Sequence, residues 1–195
     1  MESADRPAKA RAGVRLSRRA ALEGIGGGLV AAVAVPVALA PARAGAARSV
    51  AAVRPQLPIP RCRHTATVLP DGRVLIAGGY HTAVLSGVQI YDPATNSWFA
   101  AASMKNPREQ HAAVLLPDGR VLVVGGYGTR PLASAEVYDP TGNIWSAAAP
   151  MRGPRFGHTA VLLPDGSVLV TGGSDQAPLS SSEVYIPATN SWQPR

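Results

Sequence analysis

The sequence is poor in the residues that mark several common protein classes: it has one cysteine, three Trp, five Tyr and two Phe among 195 residues. A single cysteine, Cys62, excludes an internal disulfide and is predicted to be an unreactive thiol. The longest apolar stretch, Ile25 to Ala40, is broken by Pro36 and is shorter than the roughly 20 residues that span a bilayer. No later window has the 3.6-residue period of an amphipathic helix. These absences exclude a disulfide scaffold, a stable membrane span and a helical fold.

Motifs for the common chemistries are missing as well. No glycine-rich phosphate loop precedes a helix, and no paired carboxylates stand apart from turns. Asp71, Asp118 and Asp165 each lie between a proline and a glycine, which is typical of a tight turn. No basic run or base-stacking motif favours nucleic-acid binding. The sequence therefore predicts no catalytic residue, no metal site and no cofactor.

Much of the positive charge lies in the first 44 residues. This segment has a basic start, an apolar middle and small residues near its end, which is the pattern of an export signal. Its Ser-Arg-Arg-x-x-Leu core, with Arg18 and Arg19, resembles a twin-arginine signal, although Ala21 stands where that pattern usually has Phe. Cleavage is expected after Ala40 or Ala44, which would lower the net charge from +7 to about +3. We expect an exported protein, periplasmic or extracellular.

A repeat with a period of 47 residues fills the rest of the chain, residues 57–195, after a linker or N-terminal strand over residues 45–56. Five kinds of position recur in register in all three copies. They are Arg61, Arg108 and Arg155; His64, His111 and His158; Gly78, Gly79, Gly125, Gly126, Gly172 and Gly173; Tyr91, Tyr138 and Tyr185; and Trp98, Trp145 and Trp192. A residue that every copy needs is predicted to build the repeat rather than to catalyse a reaction.

Each copy is predicted to contain four short strands. In the first copy, segments rich in Val, Leu, Ile and Thr over 65–69 and 73–77 flank a Pro-Asp-Gly turn and form a hairpin. A third strand over 88–91 ends at Tyr91, and a proline-containing turn leads to a fourth strand that bears Trp98. We therefore expect an all-β fold of three four-stranded units.

The Gly-Gly pair, the Glu-Val-Tyr-Asp-Pro run over 136–140 and the following Trp resemble the kelch repeat of β-propellers. The run from His158 to Gly166 more narrowly resembles the propeller of galactose oxidase. The resemblance implies that each copy is one propeller blade, with the glycines at a crowded strand end and the Tyr and Trp packed between blades.

Three blades are too few for a closed ring, which needs four to eight. An open arc would expose the apolar faces of its two end blades. Three explanations are open: the chain is a fragment or decayed copy of a longer protein, two copies form a homodimer with a six-blade ring, or the arc is stable alone.

The galactose oxidase resemblance also implies an alternative function, a remnant of a copper radical oxidase. Those enzymes hold copper with two Tyr and two His, one Tyr being cross-linked to Cys. A ligand Tyr stands there immediately before the repeated His, whereas this chain has Arg63, Gln110 and Gly157. Copper is thus expected only under this alternative, and the repeated His are predicted to make structural hydrogen bonds.

The segments that differ between copies point to binding. Residues 80–87, 127–134 and 174–181 have equal length and unrelated sequence, and variable loops on a rigid frame commonly bind ligands. The candidate ligand-binding residues are Arg61, Arg108, Arg155, Tyr80, Tyr127 and Arg130. The three repeated arginines could line the mouth of the ring or pack between blades. The sequence therefore predicts a non-catalytic module for a protein or carbohydrate ligand.

Overall fold

The computed structural model describes residues 56–195, so the predicted export signal and nearly all of the predicted linker lie outside the described residues. The described part consists of twelve strands joined by turns and loops. Blade 1 contains β1 (Thr65–Val68), β2 (Val74–Ala77), β3 (Val88–Asp92) and β4 (Ser97–Ala101). Blade 2 contains β5 (Ala112–Leu115), β6 (Val121–Val124), β7 (Ala135–Asp139) and β8 (Ile144–Ala148). Blade 3 contains β9 (Thr159–Leu162), β10 (Val168–Thr171), β11 (Ser182–Ile186) and β12 (Ser191–Pro194).

Each blade is one antiparallel sheet whose strands pair in chain order. The Pro-Asp-Gly turns close the first hairpin of each blade. Gly72 adopts φ +86° in the first of these turns, a left-handed conformation that residues with a side chain rarely adopt. Tyr91 lies opposite Trp98 in the β3–β4 pair, and the same Tyr–Trp register recurs in the other two blades. The predicted all-β class and the three four-stranded blades of an incomplete ring are confirmed. Within residues 56–195 no helix is long and apolar enough to cross a membrane.

Two apolar cores lie between the blades. The first joins Leu75, Val88 and Ile90 of blade 1 to Val121 and Tyr138 of blade 2. The second core joins blade 2 to blade 3 and is built from the same repeat positions, one period later. The buried surface is therefore made mainly by stacking one blade on the next.

Aromatic side chains fix the outer part of each joint between blades. The rings of Tyr138 and Trp145 have centroids 5.0 Å apart, and Tyr138 donates a hydrogen bond to Asn143. Trp145 Nε1 donates to the carbonyl of Ala102 in the segment that connects blades 1 and 2, at 2.8 Å. Asn143 accepts from the amide of the same residue. The equivalent contacts in blade 3 bind its Tyr, Asn and Trp to Ala149.

Candidate functional site

The repeated arginines were candidates for a ligand-lined mouth, and the structure corrects this for two of them. Arg108 is fully buried, and its guanidinium donates to the carbonyls of Gly125 and Ser134 and to the Glu136 carboxylate at 2.6 Å. Burial lowers the pKa of Arg108, and the Glu136 carboxylate opposes that shift. Arg155 makes the equivalent bonds one period later, including 3.1 Å to Glu183. Both side chains are occupied by the blade and offer no surface to a ligand.

Arg61 departs from that pattern because its partner is neutral. Its guanidinium donates to the carbonyls of Gly78 and Gly87 and, at 3.3 Å, to the side-chain oxygen of Gln89, which stands where the other blades have glutamate. The side chain is half-buried. Blade 1 therefore has a looser and less charged version of the same connection.

The paired glycines lie where the next blade comes closest. Gly79 and Gly126 donate their amides to the carbonyls of Arg108 and Arg155 at 2.9 and 2.8 Å. A Cβ on Gly125 would lie 2.6 Å from the Arg155 carbonyl oxygen and 2.6 Å from the His158 ring. A side chain larger than hydrogen would therefore force the two blades apart.

The three repeated histidines lie at the start of the inner strands and near one another. His111 is buried, and its Nε2 lies 2.9 Å from the Thr65 hydroxyl of the preceding blade. Residue 112, the counterpart of Thr65, is alanine and offers no such group to His158. Burial lowers the pKa of His111 to about 3 and that of His158 to about 4, and the positive charges of Arg108 and Arg155 lower these pKa values further. The arrangement joins blades and keeps both rings neutral.

These histidines predict a loss of stability in mild acid. The folded-state pKa values lie below the ordinary value of 6.5, so the unfolded chain binds more protons between pH 6.5 and about 4. The stabilisation is present above pH 6.5 and is lost as the pH falls through this window. Each histidine should lower the free energy of unfolding by about 2 kcal/mol at pH 5 relative to pH 7.5.

Urea unfolding at the two pH values measures this effect. The His111→Gln variant should lose about 2 kcal/mol of this pH dependence. His81→Gln is the matched control, because His81 is exposed in a loop and the pH dependence should remain as in the parent chain. An unchanged slope in His111→Gln would contradict the assignment.

A continuous row of side chains crosses all three blades at the entrance to the inner strands. We call it the entry strip, and it comprises Cys62, Arg63, Tyr80, Glu109, Tyr127 and Phe156. In each blade the residue two positions before the repeated His pairs, as an isolated β-bridge, with the residue after the Gly-Gly pair. The backbone frame is thus identical in the three blades, while the side chains on it differ.

Two contacts carry the entry strip across the joints between blades. Arg63 forms an ion pair with Glu109 at 3.1 Å, and the Glu109 carboxylate raises the pKa of Arg63. Tyr127 meets Phe156 edge to face, with ring centroids 5.4 Å apart. The Arg63 side chain is 46% exposed and Tyr80 is 37% exposed, so the strip presents charge and aromatic surface to solvent.

The residue directly before each repeated histidine has a left-handed backbone. Arg63 and Gln110 adopt φ values of 56° and 51°, and the equivalent residue of blade 3 is Gly157 at 63°. Left-handed backbone at non-glycine residues is strained and is found disproportionately at functional sites. The amides of Gln110 and Gly157 donate to the carbonyls of Arg63 and Gln110, which links the blade entrances in series.

The copper ligand set does not fit these positions. The residues that would have to be Tyr are Arg63, Gln110 and Gly157, and Arg63 is held by Glu109. Among residues 56–195 no group of three or more His, Cys, Asp and Glu side chains is placed to hold a metal ion. The residues at the blade entrances therefore do not fit a copper site of that kind.

Sequence reasoning found some members of the strip and missed others. Tyr80 and Tyr127 were named as candidates, and Arg130 lies exposed in the adjoining loop. Glu109, Phe156 and the pairing of Cys62 with Tyr80 were missed, because each differs from its counterparts in the other copies. The signal that could have found them is that variation itself, at positions flanked by invariant ones.

A cleft in the described part lies away from the entry strip. It has a volume of about 340 Å³ and lies by the hairpin turns of blades 2 and 3, with Pro117, Asp118, Asp165 and Arg195 in its wall. Because these turns follow the inner strand, the cleft is at the opposite end of that strand from the entry strip. The entry strip is instead an open surface on which Cys62, Arg63 and Tyr80 are exposed, a form that suits a broad contact with a partner.

Comparison with protein families identifies the repeat. Residues 46–194 match the model of the KLHDC2/KLHL20/DRC7 Kelch-repeats domain, which spans all three blades. Comparison with curated proteins finds no match.

Proposed function

Because the chain belongs to the KLHDC2/KLHL20/DRC7 kelch-repeat family, whose β-propeller domains support protein interaction in general, we propose that it is an exported, non-catalytic binding module whose entry strip and adjoining loops hold a protein or carbohydrate ligand. The observation that carries this proposal is the strip itself, in which different side chains stand on one repeated backbone frame across three blades.

The composition of the strip supports a partner with a polar and apolar surface. Tyr and Arg are enriched at the centres of protein interfaces, because they bury large areas and still donate hydrogen bonds. Arg63 and Tyr80 are both exposed, and Phe156 and Tyr127 pack edge to face at the joint between blades 2 and 3. Flat aromatic surface of this kind also suits the apolar face of a sugar ring.

The remaining parts of the proposal rest on the sequence. Export is supported by the basic start, the Arg18-Arg19 pair and the apolar stretch of residues 1–44. The likeness of His158 to Gly166 to the galactose oxidase propeller supports a propeller blade only at the level of the fold, and a fold does not name a ligand.

The second candidate, a remnant of a copper radical oxidase, is favoured by one contact. Cys62 and Tyr80 exchange both backbone hydrogen bonds, at 2.9 and 2.8 Å, so they lie directly opposite each other. A Cys–Tyr pair is part of the site in the enzymes that the sequence resembles. Since the Tyr and His ligands do not fit, the binding module is the function that the geometry supports best.

The test uses two defined probes, a displayed random-peptide library and a glycan array, on the purified full chain. Any ligand selected by the parent should bind at least about 10-fold more weakly to the Tyr80→Ala, Tyr127→Ala double variant, because two aromatic contacts of about 1 kcal/mol or more are lost. Phe99→Ala is the matched control, since Phe99 is an exposed aromatic residue on an outer strand away from the strip. Equal losses in both variants, or no loss in the strip variant, would refute the proposal.

A further inference from the structure

The two joints within the chain are closed by the same three groups. Beside Gly125 stand the carbonyl oxygen of Arg155, the ring of His158 and the end of Met151, all within 3.2 Å of the position a Cβ would take. The corresponding glycine of blade 1, Gly78, meets Arg108, His111 and Met104 in the same way. Each joint is thus filled by the entrance of the following blade.

The third such position is open. At Gly172 the nearest atom to a Cβ position is the carbonyl oxygen of Leu179 in the same blade, at 3.7 Å. Among the described residues no following blade stands beside Gly172 and Gly173. The space that two joints fill with a carbonyl, an imidazole and an aliphatic side chain is therefore available at blade 3.

The entrance of blade 1 carries the matching groups. One period before Arg108, His111 and Met104 lie Arg61, His64 and Leu57, which are a carbonyl, an imidazole and an aliphatic side chain in the same order. Arg61 and His64 are half-buried, as is Leu57. Within a single copy these groups lie two blades away from the open position at Gly172.

The open joint at blade 3 also offers a threonine hydroxyl that could bond an imidazole, as the first joint does and the second does not. Thr65 bonds His111 at the first joint, whereas the second joint has Ala112 at that place. Blade 3 again has threonine, Thr159, and it is exposed. Thr159 of one copy and His64 of another would recreate the bond seen at the first joint.

The apolar faces agree with this pairing. Val114 in the middle blade is 8% exposed, whereas its counterpart Val161 in blade 3 is 43% exposed. At the other end of the array Val68 is 61% exposed, while its counterpart Leu115 in blade 2 is half-buried and packs against a core. The two end faces are the two halves of a joint that the chain already makes twice.

We propose that blade 3 of one copy packs on blade 1 of a second copy in the geometry of the internal joints, so that two copies close a six-blade ring. Gly173 then donates its amide to the carbonyl of Arg61 of the second copy, as Gly79 and Gly126 do within the chain. The contact is head to tail, and two such contacts would close a ring of six blades. It concerns assembly and does not depend on any ligand of the entry strip.

The test is the mass of the purified full chain by light scattering after size exclusion, and the expected mass is twice the 20.1 kDa of the chain. Each of the two joints between the copies contains Val161 of one copy and Val68 of the other. Val161→Asp or Val68→Asp therefore places a charge in both joints and should raise the dissociation constant of the dimer at least about 100-fold. Ile144→Asp is the matched control, because Ile144 is an exposed residue of the middle blade, and this variant should remain a dimer.

Mixing the two damaged variants separates this contact from other dimers. A pair of one Val161→Asp chain and one Val68→Asp chain has one joint with both charges and one joint that is entirely native, so a dimer should reappear. This recovery also shows that both variants are folded. A dimer through one face alone would be broken by only one of the two substitutions, and that result would overturn the proposal.

A parent chain that is monomeric, or that is unfolded or aggregated, would overturn it as well, since the end faces would then need blades of another protein. Binding measurements test the entry strip, whereas the mass in solution tests the assembly. Either proposal can therefore fail while the other stands.

Discussion

Replacing Arg108 with methionine is expected to lower the free energy of unfolding by about 3–5 kcal/mol, because it leaves the buried Glu136 carboxylate without its cation. Arg108 is fully buried and bridges the carbonyls of Gly125 and Ser134 to that carboxylate. Glu136 also accepts the amides of Lys105 and Asn106, in the segment that connects blades 1 and 2. The loss therefore reaches both the blade and its connection to the preceding blade.

The chain supplies its own control for this effect. Arg61→Met removes the same motif residue from blade 1, where the side chain is half-buried and its partner is the neutral Gln89. No buried charge is left behind, so the expected loss is about 1 kcal/mol. Urea unfolding of both variants and the parent at pH 7.5 measures the difference. Equal losses at the two positions would contradict the role assigned to the Arg108–Glu136 pair.

A double variant tests the mechanism of the loss. Arg108→Met with Glu136→Leu removes both charges, and part of the stability should return, as replacing a buried ion pair by apolar groups is often nearly neutral. The return should be incomplete, because Lys105 and Asn106 lose their acceptor. A double variant as unstable as the sum of the single ones would show that the two charges do not act on each other.

Gly125→Ala is expected to cost about 3 kcal/mol or more, because the new Cβ would overlap the Arg155 carbonyl and the His158 ring at 2.6 Å. The residue also has φ +61°, where an L side chain costs a further 1–2 kcal/mol or so. Blades 2 and 3 would have to separate, which would disturb the amide bond from Gly126 to the Arg155 carbonyl. Thermal and urea unfolding of the parent and the variant give the size of this loss.

The matched substitution is Gly172→Ala in blade 3. Its φ of +66° gives the same backbone strain, but the space beside it is open in a single copy. The monomeric chain should therefore lose only about 1–2 kcal/mol. If a second copy fills that space, the variant should also weaken the dimer, and its loss would approach that of Gly125→Ala. Equal losses in chains shown to be monomeric would contradict the steric explanation.

Much of the fold was predictable because the same turn residues and apolar positions recur in each of the three copies. The period of 47 residues, the Pro-Asp-Gly turns and the Tyr and Trp positions predicted four strands in each copy, and the strands lie within a residue or so of the predicted bounds. Local turn chemistry and alternating apolar residues decide these features, and both are written in consecutive residues. The kelch family and the three-blade arc follow from the same pattern.

The candidate site was predictable only in part. The loop tyrosines Tyr80 and Tyr127 were named because variable loops follow invariant glycines. The entry strip also needs Glu109 and Phe156, which join it only through contacts across the blades. These contacts link residues 46 and 29 positions apart in the chain, and nothing in the local sequence of either partner indicates the pairing.

The sequence by itself determined the repeat, the strands, the turns and hence the stacking of three similar blades, because these depend on local backbone preferences and on a period that every copy shares. The tertiary structure alone decided what the repeated arginines do. Arg108 and Arg155 could have faced the mouth of the ring or the interior, and the glutamates at 136 and 183, 28 residues later in the chain, draw them inward. It also decided that the joint at Gly172 is open, since whether a glycine is crowded depends on which blade lies beside it.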